Sequence, residues 1–169
     1  MRALVVVALL VVAVPAALFV AFVRPPTGDV EQVDAVVALA GGSGERLRTA
    51  RALVDEGVAP VLVLSYGPSA LCAEDQPFDV VCFVPDPSTT VGEARRVGEL
   101  VEEHGWGSIA VVTSTHHVAR SRVVVGQCTD AEVRMVDAGS AIPTRERRLR
   151  LIRHEAQGLF AALLVEPAC

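Results

Sequence analysis

The sequence predicts an α/β fold: a three-layer, Rossmann-like, doubly wound domain with a mostly parallel five-stranded sheet, preceded by one N-terminal transmembrane helix. Three observations predict it. Apolar runs too short for a helix alternate with longer segments whose apolar residues recur every three or four positions. Strands joined through helices run parallel and are covered on both faces. An almost uncharged segment precedes this pattern, and the 169 residues suffice for one such domain.

The N-terminal segment has the length of a membrane span. Residues Ala3 to Val23 carry no charge, and as a helix they would extend about 31 Å, enough for a bilayer core. A cleaved signal peptide is the alternative, because Val14-Pro15-Ala16 offers small residues at a plausible cleavage site. We favour an uncleaved anchor because the apolar run continues to Val23. The predicted divisions are an anchor or signal peptide at 1–23, a linker at 24–32 and the α/β domain at 33–169.

Charge and cysteine content bear on the compartment. Arg2 precedes the apolar segment, so the positive-inside rule places the short N-terminus in the cytoplasm and the domain outside the cell membrane. Four cysteines suit an oxidising compartment and allow three complete pairings. Cys72 and Cys82 are close in sequence and flank an irregular segment, so we predict a disulfide between them and leave Cys128 and Cys169 unassigned.

The soluble part is predicted to contain five strands and four helices. The strands are expected at 33–40, 60–65, 79–84, 108–113 and 131–136, with a loop from Tyr66 to Pro77. Helices are expected from about Gly44 to Gly57, from Thr90 to Gly105, from the end of the fourth strand to about Gln127, and from Arg145 to about Val165. We find no internal repeat.

The most informative stretch follows the fourth strand. The apolar run from Ile109 to Val112 leads into Thr113, Ser114, Thr115, His116 and His117, with Arg120 just beyond. In such folds ligands lie outside the carboxyl ends of the strands, where helix N-termini present free N–H groups. Ser114 or Thr115 is expected to cap the helix, and either histidine would share a helix face with Arg120. These residues predict a site for an anion.

A glycine turn after the first strand is the second element of the candidate site. Gly41 and Gly42 allow a ligand to approach the backbone closely, and Arg46 can reach back toward an anion or lie in solvent. The turn departs from a dinucleotide fingerprint, because Leu47 replaces the third small residue and Ser65 ends the second strand instead of an acid. We therefore expect no nicotinamide cofactor, although a tight structural turn also explains the glycines.

The third element is a run of hydroxyl residues at the next helix start. Thr90-x-x-Glu93 fits a capping box, which explains both residues without a ligand, while Thr89 and Thr90 place hydroxyls where a ligand could bind. His154 and Glu155 are expected to pack or cap on the last helix. Together with His116 and His117 they show no metal-ligand spacing, and we predict no metal and no resident cofactor.

Composition excludes several functions. All fifteen basic residues are arginine, so Schiff-base lysine chemistry and a phosphate-loop lysine are excluded. Beyond residue 23, 14 arginines face 20 acidic residues, a formal charge of −6 that argues against nucleic-acid binding. A Gly-x-Ser-x-Gly nucleophile elbow is absent from the sequence.

Together these elements resemble the YdcF/SanA/ElyC family over roughly residues 34–136. The matching positions are the glycine turn with its arginine, the hydroxyl-rich helix start and the Ser-x-x-His-x-x-Arg segment: Gly41, Gly42 and Arg46; Ser88, Thr89 and Thr90; Val112, Thr113, Ser114, His117 and Arg120. The resemblance implies a Rossmann-like domain of poorly defined biochemistry. Its membrane-anchored members are linked to cell-envelope integrity and peptidoglycan-related processes, and a cytoplasmic member to S-adenosylmethionine binding. This chain departs from the family in having Glu93 where Asn is usual.

Three functional hypotheses follow. The first is a membrane-anchored envelope protein that binds a small anionic or phosphorylated ligand, with transferase or hydrolase activity. In it His117 is the acid/base, and the ligand-binding residues are Gly41, Gly42, Arg46, Thr89, Thr90, Glu93, Ser114, His116 and Arg120. The second is a non-catalytic envelope adaptor with a vestigial pocket. The third is a nucleotide- or S-adenosylmethionine-binding enzyme. The sequence identifies no protein partner.

Overall fold

A computed structural model describes residues 2–65, 70–73, 75–140, 144–165 and 167–169, without the side chains of 2–8, 10, 14, 15 and 70. The described residues form five strands and five α-helices in the order α1 (Arg2–Val23), β1 (Ala35–Ala38), α2 (Glu45–Asp55), β2 (Val61–Ser65), β3 (Asp79–Phe83), α3 (Thr90–His104), β4 (Ser108–Thr113), α4 (Val118–Gly126), β5 (Glu132–Asp137) and α5 (Arg145–Leu164). Short 3-10 turns cover Ala70–Cys72 and Thr115–His117.

The five strands form one parallel sheet in the order β3-β2-β1-β4-β5. The predicted α/β class and parallel sheet are therefore confirmed, and the sheet is fully parallel. The order reverses at β1, which pairs with β2 on one side and with β4 on the other. The carboxyl ends of β1 and β4 consequently diverge into a crevice, the usual position of ligands in open α/β sheets.

Alternate residues of β1 face opposite sides of the sheet and form two cores. Ala35 and Val37 pack with α3, α4 and part of α5, whereas Val36 and Ala38 pack with α2. These four side chains are fully buried because helices cover both faces. Three layers result. As the sequence predicts, the described part of the connection between β2 and β3 has no α-helix and contains only a 3-10 turn, although the two strands are parallel.

Helix α1 meets the domain at its carboxyl-terminal end. Phe22 is 2% exposed, and it lines a small pocket together with His116, Ser140 and Ile152. Among the residues that the structure describes, no helix has both the length and the apolar character needed to cross a bilayer.

Two disulfides tie loops and the C-terminus to the sheet layers. The predicted Cys72–Cys82 bond is confirmed, with a Cα–Cα distance of 6.0 Å. A second bond joins Cys128, just after α4, to Cys169. The preceding residue, Ala168, is 1% exposed, and its backbone N–H donates to the side chain of Gln127 at 3.0 Å. The C-terminus is thereby held against α3 and α4.

Candidate functional site

A cavity of about 330 Å³ opens at the carboxyl ends of the strands, beside the point where the strand order reverses. Its size is at the lower end of the range for small-molecule sites. Residues from the β1–α2 turn, the start of α3, the segment after β4 and the middle of α5 form its walls: Ala40, Gly41, Arg46, Pro85, Ser88, Thr89, Thr90, Glu93, His116, His117, Arg120 and Glu155.

Arg46 braces the turn that follows β1. Only 5% of this residue is exposed; its Nε donates to Ser114 Oγ at 2.9 Å, and one terminal nitrogen donates to the Ala40 carbonyl oxygen. These bonds require a sharply turned backbone, and Gly41 has a φ of 98°, which favours glycine. Of the two alternatives for Arg46, the one that placed its side chain in solvent is therefore wrong. Arg46 is a buried cation that joins the ends of β1 and β4.

Glu93 is a buried carboxylate that turns toward β1. It is 5% exposed, and its Oε1 accepts a hydrogen bond from the Ala40 backbone N–H at 2.7 Å. Burial raises the pKa of Glu93 above its ordinary value, and hydrogen bonding to Ser65 and to the Ala40 N–H, together with the charges of Arg46 and Arg120, offsets this effect only in part. The predicted capping box was wrong, because Glu93 accepts from the Ala40 N–H just after β1 and does not cap the start of its own helix.

Thr89, one position earlier than predicted, caps α3. Its hydroxyl accepts from the Gly92 backbone N–H at 3.4 Å. Close packing fixes where α3 begins, because Gly92 lies against the preceding loop: a Cβ added to Gly92 would be 2.0 Å from the Pro87 carbonyl oxygen. This arrangement leaves Thr90 as the first helical residue, with its hydroxyl 3.4 Å from His117 Nε2.

His117, Arg120 and Glu155 form one buried hydrogen-bonded cluster. Nδ1 of His117 lies 2.8 Å from Glu155 Oε2, and Arg120 donates to the same carboxylate through Nε at 2.7 Å and through a terminal nitrogen at 3.1 Å. His117 is 4% exposed and so is Glu155. The two-point contact fixes the carboxylate plane, because a guanidinium presents its donors as a rigid fork.

The geometry defines the tautomer of His117. An ionised carboxylate only accepts, so the 2.8 Å contact requires a proton on Nδ1. The terminal nitrogen of Arg120 that lies 3.1 Å from the same Nδ1 donates instead to Glu155 Oε1. Although burial acts to raise it, hydrogen bonds from His117 and Arg120 lower the pKa of Glu155 to about 2. Burial lowers the pKa of His117, although Glu155 acts to raise it. The neutral imidazole therefore presents an unprotonated Nε2 toward Thr90 and the cavity.

Two predicted residues lie beside the main cavity. Gly42 and Ser114 line a neighbouring pocket of about 230 Å³, in which the carboxylate of Glu45 lies next to Gly42. The Ser114 hydroxyl donates to Glu45 at 3.1 Å, and the Thr115 hydroxyl donates to Asp137 at 2.9 Å. Ser114 occupies the N-cap position of the following 3-10 turn, but its side chain makes no capping hydrogen bond, so the expected side-chain cap was wrong.

The structure gathers most of the predicted ligand-binding residues in one cavity. Its lining includes eight of the ten: Gly41, Arg46, Thr89, Thr90, Glu93, His116, His117 and Arg120. The expectation for Glu155 was wrong, since the residue bonds to His117 and Arg120 and is more than a packing or capping group. The sequence did contain a signal for this role. Glu155 follows Ile152 by three residues and precedes Leu159 by four, which places it on the apolar face of the helix. A carboxylate on an apolar helix face requires a partner.

His116 is the second histidine of the cavity. Its Nδ1 lies 3.0 Å from Ser140 Oγ, and burial lowers its pKa. Within the described residues, no cluster of three or more His, Cys, Asp or Glu side chains is arranged to hold a metal ion.

Comparison with known proteins gives no relative: no family model, no curated protein and no solved structure matches the chain.

Proposed function

We propose that this protein is a membrane-anchored cell-envelope enzyme that binds a small phosphorylated ligand in the crevice cavity and cleaves it with His117 as general base. The observation that carries the proposal is the Glu155–His117 contact of 2.8 Å, which leaves Nε2 facing the cavity. In serine hydrolases a buried carboxylate likewise holds the imidazole of the base in its working tautomer.

Positive groups support an anionic ligand. Arg46 and Arg120 line the cavity from opposite sides of the β4 end, and the first turn of α3 borders it at Thr89 and Thr90. The first N–H groups of an α-helix lack intrahelical acceptors and favour negative charge. Arg120 binds Glu155 through Nε and one terminal nitrogen, so the other terminal nitrogen is available for the ligand.

Two features support the proposed location. Both disulfides, Cys72–Cys82 and Cys128–Cys169, suit an oxidising compartment outside the cytoplasm. The uncharged run from Ala3 to Val23 after Arg2 supports an uncleaved anchor with the domain on the outer side. The connection to the cell envelope comes from the sequence resemblance to the YdcF/SanA/ElyC family.

A binding and turnover experiment on the full chain tests this function. Inorganic phosphate at about 100 times its dissociation constant should stabilise the protein by about 2.7 kcal/mol in a thermal-shift assay. The variant Arg120→Met/Glu155→Gln removes both charges of a buried pair together, which avoids an unpaired carboxylate, and should abolish that stabilisation. Arg153→Ala, on the exposed side of α5, is the control.

Turnover separates the proposed enzyme from the two alternatives. The wild type should hydrolyse 4-nitrophenyl phosphate, and His117→Gln should lose hydrolysis while retaining stabilisation by phosphate. Phosphate binding without hydrolysis would favour a non-catalytic adaptor. Stabilisation by adenosine compounds or S-adenosylmethionine, but not by phosphate, would favour a nucleotide-type enzyme.

A further inference from the structure

We infer that Glu93 is the general acid of this site and that the substrate is a phosphate ester with an alkoxide leaving group. The inference rests on the proposed function and adds to it a second catalytic group and a substrate class. Glu93 and His117 line the same cavity but belong to separate hydrogen-bonded clusters, one anchored on β1 and the other on α5.

Thr90 lies between the two groups and relates their positions. Glu93 follows Thr90 by three residues on α3, so their side chains share a helix face with Cβ atoms about 5–6 Å apart. The hydroxyl of Thr90 lies 3.4 Å from His117 Nε2. The carboxyl group and the imidazole therefore both border the ligand space next to Thr90. An acid and a base that serve the leaving and the attacking oxygen must share one ligand space in this way.

The burial of Glu93 suits a proton donor. Oε1 accepts from the Ala40 N–H at 2.7 Å, so a carboxyl proton belongs on Oε2. Burial raises the pKa of Glu93, which favours the protonated form. When Glu93 is neutral, the charged groups among the lining residues are Arg46, Arg120 and Glu155, so the lining keeps a net positive charge for an anion. The carboxylate of Glu45 belongs to the neighbouring pocket.

The reaction balances with water as the only co-reactant. His117 Nε2 takes a proton from a water molecule while the water oxygen forms a bond to phosphorus. The bond between phosphorus and the alkoxide oxygen breaks, and that oxygen takes the proton of Glu93. The products are phosphate and an alcohol, and the proton on His117 returns through solvent to Glu93. Cleavage of a phosphoanhydride does not need such a donor, because phosphate is a good leaving group without protonation.

The dependence on leaving group distinguishes an acid from a structural residue. Glu93→Gln keeps an oxygen for the Ala40 N–H but has no proton to transfer. General acid catalysis typically contributes about 10²–10⁴-fold. Glu93→Gln should therefore slow hydrolysis of phenyl phosphate at least about 100-fold, and slow 4-nitrophenyl phosphate less than about 10-fold, since its leaving group needs little protonation. Glu102→Gln, an exposed position on the same helix, is the control.

Each outcome decides the inference. A greater loss with phenyl phosphate than with 4-nitrophenyl phosphate supports the acid role of Glu93. Equal losses with the two esters would overturn that role while leaving the proposed function intact. Stabilisation of the wild type by inorganic phosphate without hydrolysis of either ester would overturn both the acid role and the proposed enzyme, and would leave an anion-binding protein.

Discussion

Gly158 of α5 lies directly against the side chain of Arg120: a Cβ added to this glycine would stand 2.7 Å from Arg120 Cδ. Glu155, three residues earlier on the same helix face, binds the guanidinium of that arginine. Gly158 leaves space for the stem of Arg120, and Glu155 binds its guanidinium. The two residues of α5 together fix the position of the Arg120 side chain. A glycine inside a helix is unfavourable by about 1 kcal/mol relative to alanine, so we interpret Gly158 as an adaptation to this contact.

Gly158→Ala should weaken phosphate binding, because the new methyl group displaces the stem of Arg120. We expect the dissociation constant for inorganic phosphate to rise, with no gain in stability from the better helix former. Gly126→Ala is the matched control, since a Cβ there has open space, and it should raise stability by up to about 1 kcal/mol. Titration calorimetry and urea unfolding measure the two effects. An unchanged affinity of Gly158→Ala for inorganic phosphate would show that Gly158 does not position Arg120.

Glu155 should make the fold sensitive to acid. Its folded pKa of about 2 lies below the ordinary value of 4.5, so its contribution to stability is complete above pH 4.5 and is lost as the pH falls toward 2. After allowance for screening, the loss should be on the order of 1–3 kcal/mol. Urea unfolding at pH 5 and pH 3 tests this. Glu155→Gln should flatten the change, and Glu102→Gln should keep it.

The lowered pKa of His117 predicts the acidic limit of activity. A general base must be unprotonated. The value of kcat/KM should therefore fall only when the pH is below 6.5, the ordinary pKa of histidine. The charged groups that face His117 are Glu155, which raises its pKa, and Arg120 and Arg46, which lower it. Glu155→Gln should therefore shift the acidic limb of the kcat/KM profile to still lower pH. A shift toward higher pH would contradict the assigned tautomer and charge.

Much of this architecture could be predicted because it depends on local patterns. Short segments rich in apolar residues identified the strands. The carboxyl ends of parallel strands meet at one edge of a sheet, so residues after β1 and β4 such as Gly41 and His117 could be placed together without coordinates. The Cys72–Cys82 disulfide was also predictable from the short irregular segment between its cysteines.

The remaining features depend on tertiary packing. The capping position of α3 moved from Thr90 to Thr89 because Gly92 packs on the Pro87 carbonyl oxygen, a contact that sequence spacing does not reveal. The role of Glu155 required the register of α5 against the segment after β4. This helix follows β5 and could have packed in several registers along its apolar stripe. Only the structure shows that the carboxylate meets His117.

The second disulfide should contribute more stability than the first. Cys128 and Cys169 are separated by 41 positions, against 10 for Cys72 and Cys82, and a longer closed loop removes more entropy from the unfolded chain. We expect the free energy of unfolding to fall by about 4 kcal/mol in Cys128→Ser/Cys169→Ser and by about 3 kcal/mol in Cys72→Ser/Cys82→Ser. Urea unfolding of the two double variants gives the comparison, and an equal or reversed order would contradict it.

The proposed location gives the last prediction. Because both disulfides suit an oxidising compartment and Arg2 precedes the apolar run from Ala3 to Val23, protease added to spheroplasts should digest the domain, while undigested protein stays in the membrane fraction. Detergent-permeabilised cells are the control for resistance of the folded domain. Digestion only after permeabilisation would reverse the topology. Release of a soluble chain that begins near Ala17 would instead show that the segment is a cleaved signal peptide.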